Sequence, residues 1–424
     1  MSTRTSSGGF GLWMLARRSL RQHAVSTSIT AASLALACGL VMAVLGIRAQ
    51  SERAFLLEGS PFDAVLGVRS SATQLVLNSV FHLETSPGNL PWTTYEQVRA
   101  APGVRAAVPY AVGDNWKGFR IVGTTAEQFD DAKLRGRAPR VAPGGRVFDE
   151  ELREALVGSF VAQKTGVRVG DTIHPSHGPL TGGHDHDEDY VVVGVLEPTN
   201  TPSDRVLWIP LEGMFRMEGH VLRGDGEEYH AEHHEEIPDD KKEVSAVLLA
   251  FDAPQVGLQL EQKFNRDGKE ATLAWPVSRV VLELFDKIGW MSRVLELVAY
   301  ATVLVAAASI VASLYDAMAQ RRRELAILRA LGATRAQLFA SVVLQAGAIA
   351  ALGALAGCAI YVAIFAVARE AIRAQTGVVL DPFEIETSVA LAPLGMVVLG
   401  ALCGLLPAWK AYSVEVADDL APLS

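Results

Sequence analysis

Four stretches of the chain are apolar for long enough to cross a bilayer, which takes roughly 20 residues at the helical rise. The first, VSTSITAASLALACGLVMAVLGI, lies between His23 and Arg48 without a charge. The second runs between Glu296 and Asp316, the third between Arg335 and Arg369, and the fourth between Glu386 and Lys410. The first run ends in bulky Met42, Val44, Leu45 and Ile47 rather than small residues, so it is expected to remain as an anchor and not to be cleaved as a signal peptide.

Between the first and second runs the pattern changes to short segments of strand and helix. FDAVLGV, FRIVGTT, ALVGSFVA, VRVGDTI, DYVVVGVLEP, RVLWIP and VSAVLLAF read as strands bounded by Gly, Pro and Asp. Those within 156–215 predict a small sheet covered on both faces, while 48–140 mixes helix and strand. TTYEQVRAAPGV predicts a short helix, with Thr94 and Gln97 as a partial capping box and Pro102-Gly103 as the stop. SRVVLELFDKIGWM predicts a helix leading into the second span, and 220–243 is a polar, acidic excursion. No internal repeat is evident, which argues against a duplicated transporter.

The basic residues beside the spans predict the orientation. Arg4, Arg17, Arg18 and Arg21 precede the first span without an acid, and Arg321, Arg322, Arg323, Arg329 and Arg335 stand against Glu324 between the second and third. The expected fold is therefore a membrane α-helical protein of four transmembrane helices, with an extracytoplasmic α+β domain inserted between spans 1 and 2. A cytoplasmic N-terminus covers 1–24 and the spans cover 25–47, 289–316, 338–368 and 389–410. The extracytoplasmic domain covers 48–288, and a cytoplasmic segment, an extracytoplasmic loop and a cytoplasmic tail occupy 317–337, 369–388 and 411–424.

The segment RRRELAILRALGATR at 321–335 carries the most specific signal. As a helix over 321–331 it places Glu324, Ile327, Leu328 and Leu331 on one face and Arg322 and Arg329 on the other. Gly332 stops it, and Thr334 with Gln337 starts the next helix through a capping box. Arginines resting on lipid headgroups would account for the basic side. An acid centred on the apolar face suits a protein groove better than lipid, so docking of a partner is favoured.

RRRELAILRALGATRAQL resembles the signature of the FtsX-like permeases, which include the MacB-type membrane subunits of ABC transporters. FDAVLG, QLVLNSVFHL, GNLPW, VPYAVGDNWKGFRIVGTT and VRVGDTI are similar to the MacB-like periplasmic domain. The resemblance implies that the short helix between spans two and three is a coupling helix gripped by a separate ATPase. Carried onto this chain it comprises Arg323, Glu324, Leu325, Ile327, Leu328, Arg329, Leu331 and Gly332. The chain holds no G-x-x-x-x-G-K-[ST] with which to cradle ATP phosphates, so ATP and Mg²⁺ are expected on the partner subunit.

Charge and composition narrow this further. A net charge of −9 argues against nucleic acid. Cys38, Cys358 and Cys403 all lie in apolar runs, where they act as small hydrophobes and leave the polar half without a disulfide. Gly347, Gly353 and Gly357 predict close packing of the third span, and Pro393 and Pro407 a bend or an end of the fourth. Glu296 and Asp316 mark the interfaces of the second.

Eight of the ten histidines fall between 174 and 234. His174, His177, His184, His186, His230, His233 and His234, interleaved with carboxylates, suit Zn²⁺ or another divalent transition metal. The alternative is a pair of solvated polar loops. HHEEIP lacks the second histidine of H-E-x-x-H, and no hydrolase arrangement stands out.

These features together predict a non-catalytic permease subunit of an ABC transporter in the bacterial plasma (inner) membrane, with both termini cytoplasmic. It would act as a homodimer beside its ATPase, passing the ATPase motion to the extracytoplasmic domain for export or metal-linked handling. A periplasmic adaptor or metal-binding protein is an expected further partner, and membrane lipid surrounds the spans. The alternative keeps the ATPase but transports nothing, regulating cell-wall hydrolases as FtsX does.

Overall fold

In the computed structural model residues 21, 24–56, 60–177, 188–217, 237–376 and 378–412 are described. They divide into a span unit (Met1–Gln50, Gly289–Glu370 and Leu380–Ser424) and a sheet unit (Ser51–Ile288 and Ala371–Val379). The histidine-bearing stretches 178–187 and 218–236, with most of the acidic excursion, lie outside the described residues, as do the first twenty residues and the end of the tail.

The sheet unit contains twelve strands among its described residues: β1 Ala64–Val68, β2 Leu90–Pro91, β3 Val104–Trp116, β4 Phe119–Thr124, β5 Glu154–Val157, β6 Thr172–Ile173, β7 Ser176–His177, β8 Tyr190–Val195, β9 Leu207–Pro210, β10 Glu243–Val244, β11 Ala246–Phe251 and β12 Ala271–Ala274. Nine form a sheet in the order β12-β1-β11-β3-β4-β9-β5-β8-β6, β7 pairs with β3, and β2 pairs with β10. The sheet is mixed: β4–β9 and β5–β8 are parallel and the other named pairs antiparallel. It is one sheet and not two regions of different texture, because the 13-residue β3 pairs with β11 and then turns into β4.

The strands read as near-continuous apolar runs because both faces are covered. Leu66, Ala107, Ile121, Leu207 and Leu249 pack on one face with Tyr95 and Val98 of the helix Trp92–Arg99. Val65, Val108, Val122, Trp208 and Leu248 pack on the other with Leu75 and Val76 of the helix Ala72–Ser79.

Three local expectations are corrected here. SFVA continues as the helix Ser159–Thr165 and not as strand, since a short apolar run cannot separate the two states by period and burial of Phe160 and Val161 decided it. VRVGDTI contributes only Thr172–Ile173. The proposed Thr94 cap does not form. Pro91 is the N-cap residue and no side chain caps that helix, because β2 pairs with β10 and hands the chain directly to Trp92.

Among the described residues four helices are long and apolar enough to cross a membrane: Ala24–Ala54, Gly289–Gln320, Arg335–Thr376 and Thr387–Lys410. The second belongs to a 44-residue helix, Val277–Gln320, and the third extends past Glu370 into the range of the sheet unit. Small residues let the first and third helices approach closely. A Cβ on Gly353 would sit 2.5 Å from the Leu34 Cβ, and one on Gly357 would sit 2.7 Å from the Cys38 Cβ. Gly347, expected to serve the same end, has no atom within 4 Å of that position and is not a packing glycine within this chain.

The fourth span is helical through Pro393 and breaks at Gly404, resuming as Leu405–Tyr412. The break lies three residues before Pro407, whose ring would crowd the Cys403 carbonyl four residues back and which has no N–H to bond to it. Glu296 pairs with Arg48 of the first helix, and the Gln50 amide holds the 380s loop, donating to the carbonyls of Asp381 (2.7 Å) and Glu384 (3.0 Å).

Candidate functional site

The arginine segment forms the helix Arg322–Ala330, slightly shorter than its pattern suggests. Its ends are closed by local chemistry. Arg321 Nε donates to Glu324 Oε2 at 2.8 Å, placing the acid in the first turn, where the helix dipole favours a negative charge. At the other end Gly332 takes a left-handed φ of +102° that side-chain-bearing residues rarely adopt. Its N–H reaches the Arg329 carbonyl and the Ala333 N–H the Leu328 carbonyl, each at 3.0 Å, which is a Schellman motif.

The next helix begins with the reciprocal capping box. Thr334 N–H donates to Gln337 Oε1 (2.9 Å) and Gln337 N–H to Thr334 Oγ1 (3.2 Å). The turn between the two helices therefore has its backbone groups bonded and little freedom to flex.

Burial divides the helix into two sides. Leu325 and Ala326 are buried, and Leu328 and Arg329 are half-buried. Arg323, Glu324, Ile327 and Leu331 are exposed, Leu331 to 80%. The exposed face thus carries an acid and two large apolar side chains, with Gly332 also exposed at its end. A surface of this composition suits a groove on another protein.

The histidines do not assemble in the same way. His174 Nδ1 lies 2.5 Å from Asp189 Oδ1 on an exposed rim, and His177 stands in β7 opposite Asp114. His184, His186, His230, His233 and His234 are outside the described residues, and among the described residues no group of three metal-ligating side chains converges.

Among the described residues, four membrane-length helices and a mixed-sheet unit early in the chain define a multi-pass, membrane-type chain with an inserted α+β unit. Two family models match: "MacB-like periplasmic core domain" over residues 27–238, half of the chain, and "FtsX-like permease C-terminal" over 296–416. The chain belongs to the MacB/FtsX-like ABC permeases and is an ABC transporter membrane subunit of a family that works with a partner ATPase.

Among curated proteins none matches the chain. The extracellular domain of the noncanonic ABC-type transporter YknZ from Gram-positive bacteria is similar at 15% identity and a TM-score of 0.29, over 49% of this chain and 97% of that one. The periplasmic region of MacB from Actinobacillus actinomycetemcomitans is similar at 10% identity and a TM-score of 0.31, over 53% and 94%.

Proposed function

We propose that this chain is a non-catalytic, mechanically coupled permease, and that the helix Arg322–Ala330 is the handle by which a separate ATPase moves it. The observation that carries the reading is the exposed face of Glu324, Ile327 and Leu331 on a helix anchored by buried Leu325 and Ala326. Such a helix passes a push or pull to the second and third spans, because its C-terminal turn is bonded and its apolar side is fixed. Two copies of the chain acting with two ATPases would give a symmetric stroke. The helices Val277–Gln320 and Arg335–Thr376 each run without interruption into the residue range of the sheet unit, a continuous route for that stroke.

In this reading the 321–335 segment and both termini face the cytoplasm and the sheet unit works outside the membrane, in export or metal-linked handling. The metal part rests on the sequence spacing of the histidine-rich stretches alone.

The test is Glu324→Lys, which inverts one exposed charge on the docking face. Co-purification of the ATPase and permease-stimulated ATP turnover should both be lost, while the chain stays folded, losing no more than the ~1 kcal/mol of one exposed ion pair. A variant that retains both activities ends the coupling-helix assignment.

A further inference from the structure

We propose that the sheet unit carries a binding site for a small carboxylate in the cavity between His82, Arg120 and Arg205, a site independent of the coupling helix. The cavity measures 270 Å³ and is walled by Phe81, Leu83, Val112, Phe119 and Pro202, with Thr85, Ser86, Asp114 and Asn115 as further polar groups.

Its charged groups are unusual in what they lack. Arg120 gives Nη1 to the Asn78 carbonyl (3.1 Å) and Nη2 to the Glu84 carbonyl (2.6 Å). Arg205 gives Nη1 to the Gln375 carbonyl and lies 5.8 Å from the centre of the Phe160 ring, while its Nε is closed to solvent and bonded to nothing. Neither guanidinium makes an ion pair among the described residues. Two partly desolvated cations bonded to carbonyls, with Asp114 in the lining and Glu84 near Arg120 as the acids, leave positive charge that an added anion would offset. Burial indeed holds both below the usual arginine range.

His82 points to the same conclusion from a different direction. Its backbone φ is +55°, a left-handed conformation that a residue with a side chain adopts at a cost. Its ring stacks on Tyr110 at 6.3 Å and meets the edge of Trp208 at 5.7 Å, which fixes its orientation. Its Nδ1 is shut off from solvent and has no partner. Strain and a ring fixed between two aromatic neighbours hold the imidazole in one orientation at the cavity wall.

The ligand class follows from charge and size. The lining carries Arg120 and Arg205 against Asp114, a formal balance of one positive charge with His82 neutral, which a monoanion cancels and a phosphate dianion overshoots. Planar guanidinium groups match the two oxygens of a carboxylate, and neutral His82 can add an N–H to them. At 270 Å³ the cavity has room for a small carboxylate of the size of an acylated amino acid. The apolar walls suit a short aliphatic substituent.

Isothermal titration of the full chain in detergent micelles with N-acetylalanine, N-acetylalanine amide and inorganic phosphate tests this. Saturable binding of the acid, with the amide and phosphate each weaker by at least about tenfold, is expected. Equal binding of acid and amide, phosphate binding tighter than the acid, or no saturable binding of the acid, overturns the proposal. These arms use the unaltered chain, so they stand even where a variant fails to fold. Arg205→Gln should weaken the acid by at least about tenfold, and a folded Arg205→Gln chain that binds it undiminished removes the site from this cavity. A tripeptide ending in the same alanine, bound as tightly as the acid, supports the site with a peptide end as the source. Binding of the acid alone supports it with a free small carboxylate as the source.

Discussion

The two units of this chain are held together by opposite kinds of residue. The sheet unit buries large side chains, Trp208, Tyr95, Tyr110 and Tyr190 among them, between a mixed sheet and the helices on its two faces. The span unit brings its first and third helices together where side chains are missing, at Gly353 against Leu34 and Gly357 against Cys38. The difference follows from the solvent. In water, removing apolar area is the driving force, and large side chains contribute the most of it. In lipid the tails are as apolar as leucine, so helices gain by close backbone approach, which small residues permit. Sensitivity to substitution should therefore run in opposite directions in the two units.

The largest effect is expected from Trp208→Ala. Trp208 is fully buried and contacts the rings of His82, Tyr110 and Phe129, so its truncation should cost about 3–5 kcal/mol. Denaturant unfolding followed by circular dichroism would measure it, and a loss under about 1 kcal/mol would contradict the account of this core.

The span unit should fail by the opposite change. Gly357→Leu would place a Cβ 2.7 Å from Cys38 Cβ and 3.0 Å from the Ala35 carbonyl oxygen, a clash costing up to about 3 kcal/mol. Gly347→Leu, with open space around it in this chain, should fall within about 0.5 kcal/mol of wild type. Thermal unfolding in detergent micelles compares the two directly. Equal damage at both positions would mean that close approach at Gly357 is not what joins the helices.

A smaller, pH-dependent effect is confined to the sheet unit. Burial, with Arg120 and Arg205 nearby, lowers the His82 pKa from 6.5 to about 3; Asp114 and Glu84 are the acids of the same region and Tyr110 stacks on the ring. Between those two values the unfolded chain binds a proton that the folded chain refuses. Stability is therefore lost as pH falls below 6.5, by on the order of 1 kcal/mol at pH 5.5. His82→Asn, whose side chain tolerates the left-handed backbone, should flatten that part of the stability–pH curve. An unchanged slope between pH 7 and 5.5 would remove His82 as its source.

Much of the architecture was legible in the chain because the interactions responsible are local. The spans follow from uninterrupted apolar runs. The Gly332 stop and the Thr334–Gln337 box depend on atoms a few residues apart, so their spacing in the sequence is enough to place them. The same holds for the amphipathic pattern of 321–331, which groups Glu324, Ile327, Leu328 and Leu331 from spacing alone, although Leu328 is half-buried while the other three are exposed. Pattern alone could not say which side of that helix is buried, and burial of Leu325 and Ala326 decided it.

Tertiary structure also decided what depends on distant partners. Ser159–Thr165 is apolar enough for strand or helix, and its packing chose helix. Nothing near Pro109 in the sequence marks the 13-residue β3 that makes one sheet of two regions, because strand pairing is a contact across the chain. His82, Arg120 and Arg205 carry no shared motif; a helix–loop junction, a strand and a short turn bring them to one cavity. Charge along a sequence can be counted, but whether a charge keeps its water or loses it is set by what the fold places against it.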